Sequence, residues 1–154
     1  YYLDNGLGRS IDDEEAIKIL TKAQEAGLVT QPATSQNPGG ICNCCGDCCG
    51  VLKSLKDHPE PAEVVMTNYF AEVDKTECSS CESCLERCQM DAILMDEDDL
   101  SEVIRKRCIG CGLCVTDCPT EAIRLVQKSE AQLQIPPATT SQQMLQMAKR
   151  RGLV

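Results

Sequence analysis

Tryptophan is absent from this 154-residue chain, phenylalanine and histidine occur once each, and tyrosine three times. A core built on large aromatic side chains, which dominate apolar burial in most domains, is therefore excluded. No run of eighteen apolar residues occurs, so no segment reads as a membrane-spanning helix. Positive charge is also scarce. Fifteen Lys and Arg against 24 Asp and Glu give a formal net charge of −9, which repels nucleic-acid phosphates and anionic lipid. A partner that docks by charge is expected to carry a basic patch, although solubility alone accounts for the acidity equally well.

Cysteine, by contrast, fills thirteen positions. An odd count argues against a closed disulfide scaffold, and metal–thiolate bonds are the natural replacement for the missing aromatic burial. The length accommodates one domain with appendages rather than two full cores.

Ser10 reads as an N-cap before an acid-rich turn, and Ile11, Ala16, Ile17, Leu20 and Ala23 form an apolar stripe, predicting an amphipathic helix over 10–26. The Pro, Ser, Thr, Asn and Gly content of 28–40 predicts a loop. A short helix is expected over 51–56, broken by His58-Pro-Glu-Pro61, with His58 a solvated turn residue. Strands are predicted at 69–73, 92–95, 102–105 and 122–126, with the acidic run Asp96–Asp99 as a turn. The basic run Arg105-Lys106-Arg107 is expected to balance that turn across its hairpin, in preference to offering a small docking patch. A last helix is expected over 141–150, its Met144 and Met147 read as packing residues. Four regions follow: helix plus loop over 1–40, a cysteine-rich segment over 41–66, the main domain over 67–128, and a linker with a helix over 129–154. The opening at Tyr1, with no initiator Met, leads to the expectation that 1–40 ends a longer upstream region.

The strongest signal is internal. An offset of thirty places Cys78, Cys81, Cys84 and Cys88 on Cys108, Cys111, Cys114 and Cys118, and Ala92-Ile93 on Ala122-Ile123. Cysteines and a following apolar pair recurring together indicate a duplicated structural unit. Each copy reads C-x-x-C-x-x-C-x-x-x-C, the second followed by Pro119, as in bacterial ferredoxins. Three thiolates two residues apart wrap a loop round a metal–sulfide core whose anionic sulfides meet inward-pointing backbone N–H groups. Gly110 and Gly112 allow that close approach. Structural zinc sites use two separated pairs, not this unbroken rhythm. The first copy departs from the pattern: Gln89 replaces the proline, and Ser79, Ser80, Glu82 and Ser83 replace smaller residues. Hydroxyls raise a cluster's reduction potential by hydrogen bonding to sulfur, whereas nearby acids lower it.

A second group, Cys42, Cys44, Cys45, Cys48 and Cys49, lies within eight residues punctuated by Gly46 and Gly50. A third iron–sulfur cluster, a zinc site and a disulfide or reactive thiol pair are the readings open at this point.

These motifs resemble the bacterial-type two-cluster [4Fe-4S] ferredoxin unit, set within a larger iron–sulfur protein of anaerobes that has a cysteine block upstream. The resemblance covers about residues 1–127 and implies an α+β fold with a ferredoxin-like two-cluster (βαβ)2 unit, an N-terminal helical and cysteine-rich extension and a C-terminal helix. It implies Cys78, Cys81, Cys84 and Cys118 as ligands of one cluster and Cys108, Cys111, Cys114 and Cys88 as ligands of the other, the fourth cysteine of each copy opening a short helix that points away. The expected function is relay of single electrons between a donor and a redox partner protein, in a reducing, cytoplasmic, anaerobic setting. No Ser/His/Asp grouping, phosphate loop or open catalytic metal site points to an enzyme. Two alternatives stand beside it: a redox-sensing regulator acting through a domain outside this chain, and a catalytic thiol site at 42–49.

Overall fold

In the computed structural model, which describes residues 1–154, the first helix, α1 (Asp13–Glu25), starts later than Ser10 predicts. Asp12 is its N-cap, accepting from the Glu15 amide at 2.8 Å. A carboxylate three residues before Glu15, at the positive end of the helix, outcompetes the Ser10 hydroxyl. Of the predicted stripe only Ala23 is buried, while Ile11 and Ile17 stay exposed.

The stretch expected to be loop contains a strand. β1 (Val29–Pro32) pairs antiparallel with β2 (Ile41–Cys44), Val29 opposite Cys44 and Pro32 opposite Ile41. Thr30 Oγ1 donates to Asn43 Oδ1 across the pair at 2.8 Å. Val29 is the one buried side chain of β1, so the strand presents a weak apolar signal, and its terminal Pro32 masks it further. α2 (Gly50–Asp57) follows and buries Leu52, then the short α3 (Pro61–Val64).

Residues 69–127 run strand, helix, strand and then strand, helix, strand: β3 (Tyr69–Val73), α4 (Ser83–Arg87), β4 (Ile93–Met95), β5 (Ser101–Val103), α5 (Leu113–Thr116) and β6 (Ile123–Gln127). β3 pairs antiparallel with β6, Phe70 opposite Val126, and β4 with β5, Leu94 opposite Glu102. The fold is thus a mixed, α+β one. The core between these layers is aliphatic and sulfur-rich, with Met90, Ile93, Ile109, Leu113 and Ile123 buried beside Cys84, Cys108 and Cys114. Phe70, the only phenylalanine, is capped by the Arg105 guanidinium stacked on its ring.

The basic run does not balance the acidic turn. Lys75 holds Asp96 at 2.6 Å, while Lys106 pairs with Glu60. Arg107 donates to the carbonyls of Met90, His58 and Lys56 at 2.9, 3.3 and 2.9 Å. The run therefore fastens α2 and α3 onto the strand–helix layers. His58 is half-buried rather than solvated, its Nδ1 accepting from the Glu60 amide at 3.0 Å.

The extended stretch after β6 ties back to residues 36 and 68. Asn68 exchanges hydrogen bonds with the Gln134 backbone at 2.9 and 3.0 Å, and Gln36 donates to the carbonyls of Pro136 and Pro137. α6 (Thr140–Arg150) ends the fold, capped by Thr139. Its Met144 and Met147 are exposed, not packed.

Candidate metal centres

The duplication seen in the cysteines extends to the backbone. Ser80 and Glu82 have positive φ of 55° and 61°, as do Gly110 and Gly112 with 68° and 82°, thirty residues on; Asp91 and Glu121 form a third such pair at 49° and 54°. Each loop turns left-handed at the same two places between its cysteines, which curls the three thiols to one side. At Gly110 the requirement is also steric, because a Cβ there would run into the Tyr69 carbonyl and stand 2.7 Å from Thr67 Oγ1.

Two cavities result. One is lined by Cys78, Cys81, Cys84 and Cys118. The other is lined by Cys88, Cys108, Cys111 and Cys114. Each thus takes three thiols from its own loop and the fourth from the other copy. The fourth cysteine ends its helix instead of opening it: Cys88 is the C-cap of α4, and Cys118 follows the C-cap residue Asp117 of α5.

The amide donors are also related by the offset of thirty. Ala71 N–H donates to Cys108 Sγ at 3.3 Å and the Ser101 amide to Cys78. Ala92 N–H donates to Cys88 Sγ at 3.2 Å and the Ala122 amide to Cys118. The linings then diverge. Ser79, Ser101 and Thr120 face the first cavity where Ile109, Ala71 and Met90 face the second. Ser101 is 3% exposed, and its Oγ lies 3.2 Å from Cys84 Sγ.

The thiols respond accordingly. In the first cavity the Ser101 and Ser80 amides pull the Cys78 thiol below its ordinary range, and the Ser83 hydroxyl, then the Ser83 amide, does the same for Cys81. Burial works against ionisation of Cys118 but is outweighed by donors from Ile123, Thr120 and Ala122. Burial pushes Cys84 up, partly offset by the Ser101 hydroxyl. In the second cavity burial dominates, raising Cys111 to about 11 and Cys114 further still.

This donor set fits an iron–sulfur core. Neither cavity has a carboxylate or imidazole among its lining residues. Two thiolates on one tetrahedral ion, with metal–sulfur bonds of about 2.3 Å, stand about 3.8 Å apart. No three of the eight thiols lie within 4.8 Å of one another, a spacing that suits a multi-metal core. The sequence reading missed Ser101, although its position thirty residues after Ala71 would have exposed it.

Among the five upstream thiols, as among the eight of the cradles, no three lie within 4.8 Å of one another. Cys42 is exposed on β2. Cys44 and Cys49 influence each other's ionisation and pack against the core. Cys45 and Cys48 form a separate pair, sulfur to sulfur 3.2 Å. The segment docks through Gln89, the residue standing where the motif has proline: its Oε1 accepts from Gly46 N–H at 2.7 Å and its Nε2 donates to the Gly27 carbonyl at 3.3 Å. Next to it, Arg87 donates to the Gln24 and Glu25 carbonyls at the end of α1.

No curated protein matches the chain. Residues 71–125, which contain both cavities' cysteines, match the family model of the 4Fe-4S dicluster domain; this stretch is similar to ferredoxin-like iron–sulfur units with an electron-transfer role.

Proposed function

We propose that the chain is an electron carrier, or the non-catalytic electron-transfer subunit of an oxidoreductase, of the bacterial two-cluster ferredoxin type. Cys78, Cys81, Cys84 and Cys118 hold one [4Fe-4S] cluster, and Cys108, Cys111, Cys114 and Cys88 the other. A cluster bound in each cradle supplies a one-electron site. The observation that carries this reading is the exchange of the fourth thiol between the two loops, which closes both cavities at once and brings them side by side.

The residues around each cradle set where an added electron rests. Ser101, Ser79 and Thr120 stabilise added negative charge at the first cradle, and because the buried Ser101 hydroxyl acts at 3.2 Å while the exposed Glu77, Glu82 and Glu86 are screened by solvent, it is the higher-potential site. Ile109, Ala71 and Met90 give the second cradle no hydroxyl, and Gln89, its one polar lining side chain, spends its amide on Gly46 and Gly27, which leaves a drier setting. Cys81 is exposed, and Glu77, Glu82 and Glu86 are exposed around it in the chain. That acidic rim is the face offered to a basic redox partner, in the reducing cytoplasm that free thiols and oxygen-sensitive centres require. The domain division proposed is a metal-binding segment over 41–66 set against a two-cluster unit over 67–128, an arrangement shared with the larger iron–sulfur proteins of anaerobes. The test is reductive titration of anaerobically purified protein. The expected uptake is about two electrons per chain, one per cluster, with bleaching of the visible absorption. Protein that takes up none refutes the proposal.

A further inference from the structure

The turn between β2 and α2 brings together three ligand atoms of a different kind from those in the cradles. Cys45 Sγ, a carboxylate oxygen of Asp47 and Cys48 Sγ lie within 4.8 Å of one another, the only such trio of His, Cys, Asp or Glu in the protein. The 3.2 Å between the two sulfurs is shorter than the spacing of about 3.8 Å on one tetrahedral zinc, so a small rotation of either side chain fits the ion. A cubane core needs more room than this turn gives, as the wider quartets show. Cys44 and Cys49 pack against the core and are not among the three converging ligand atoms.

We infer that Cys45, Asp47 and Cys48 bind one thiophilic divalent cation, zinc by its donor set, as a mononuclear site separate from both cradles. Two thiolates exclude magnesium and calcium, which take oxygen ligands. Asp47 and Cys48 are exposed, which leaves the fourth position of a tetrahedral ion to water. The ion braces the turn whose Gly46 N–H bonds Gln89, the residue after Cys88, and so holds the cysteine-rich segment against the second cradle. This deepens the reading of 41–66 as the metal-binding segment of an iron–sulfur protein and rests on it.

The test uses full-length, anaerobically purified protein incubated with zinc ion alone, desalted, and analysed for iron, acid-labile sulfide and zinc. The inference predicts about eight iron and eight sulfide with one retained zinc, and X-ray absorption showing two Zn–S contacts at about 2.3 Å with oxygen at about 2.0–2.2 Å. The double variant Cys45→Ser, Cys48→Ser loses the zinc and keeps the iron, whereas Cys44→Ser, Cys49→Ser keeps both. About twelve iron and sulfide, no retained zinc, or a four-sulfur zinc shell overturns it. A chain that holds zinc on two sulfurs but lacks the cradle iron refutes the relay instead and leaves the zinc site standing.

Discussion

The two cradles are copies of one backbone with different linings, and the comparison separates what duplication conserves from what it releases. The left-handed turns, the amides of Ala71 and Ser101, and those of Ala92 and Ala122 recur at an offset of thirty. These positions point thiols and donors inward, so both copies need them. The positions between are free to differ, and each hydroxyl of the first cradle faces an apolar residue in the second. Geometry is held in common while the electrostatic environment of an added electron diverges.

Removing an exchanged ligand breaks the comparison most severely. Cys88→Ala and Cys118→Ala are each expected to lower iron from about eight to about four per chain or fewer, measured anaerobically. A Cβ at Gly110 comes next. Gly110→Ala meets the Tyr69 carbonyl at a positive φ and is expected to cost more than ~2 kcal/mol in a denaturation midpoint. The reverse change at its partner, Ser80→Gly, relieves left-handed strain and is expected to stabilise by about 1 kcal/mol.

Ser101→Ala erases the principal difference between the linings. Losing one net hydrogen bond to an ionised sulfur is worth about 1 kcal/mol, so the higher potential should fall on the order of 50 mV toward the other in a mediated redox titration. Unchanged separation would show that the hydroxyl does not set the order. The smallest effect concerns the acidic hairpin that carries Ser101. Asp96 is held below the usual carboxylate range by Lys75 first, then by the Leu100 amide. Its folded-state pKa is depressed, so its contribution is fully present above the ordinary carboxylate pKa and is lost as pH falls through the depressed value. Asp96→Asn should flatten the acid limb of stability against pH, read by thermal melts across that window.

Much of this was legible in the residues, because cysteine spacing and apolar pairs are local signals. β3 falls on 69–73 as its pattern predicts, and the thirty-residue repeat reappears in φ angles. What escaped depends on long-range contact. β1 becomes a strand through its pairing with Ile41–Cys44, not through propensity. Arg105, Lys106 and Arg107 find an aromatic ring, a carboxylate and three carbonyls distant in sequence, so charge alone misassigned them. Gln89 was visible as a departure from the motif, but its purpose emerged only with Gly46 and Gly27 beside it.

Ligand exchange between the loops is tested most directly by thiol alkylation of the Cys118→Ala protein under anaerobic conditions, read cysteine by cysteine by mass spectrometry. The account predicts rapid labelling of Cys78, Cys81 and Cys84, with Cys88, Cys108, Cys111 and Cys114 still protected. Labelling of Cys108, Cys111 and Cys114 with Cys78, Cys81 and Cys84 protected would mean that each loop closes on its own cysteines, and would contradict it.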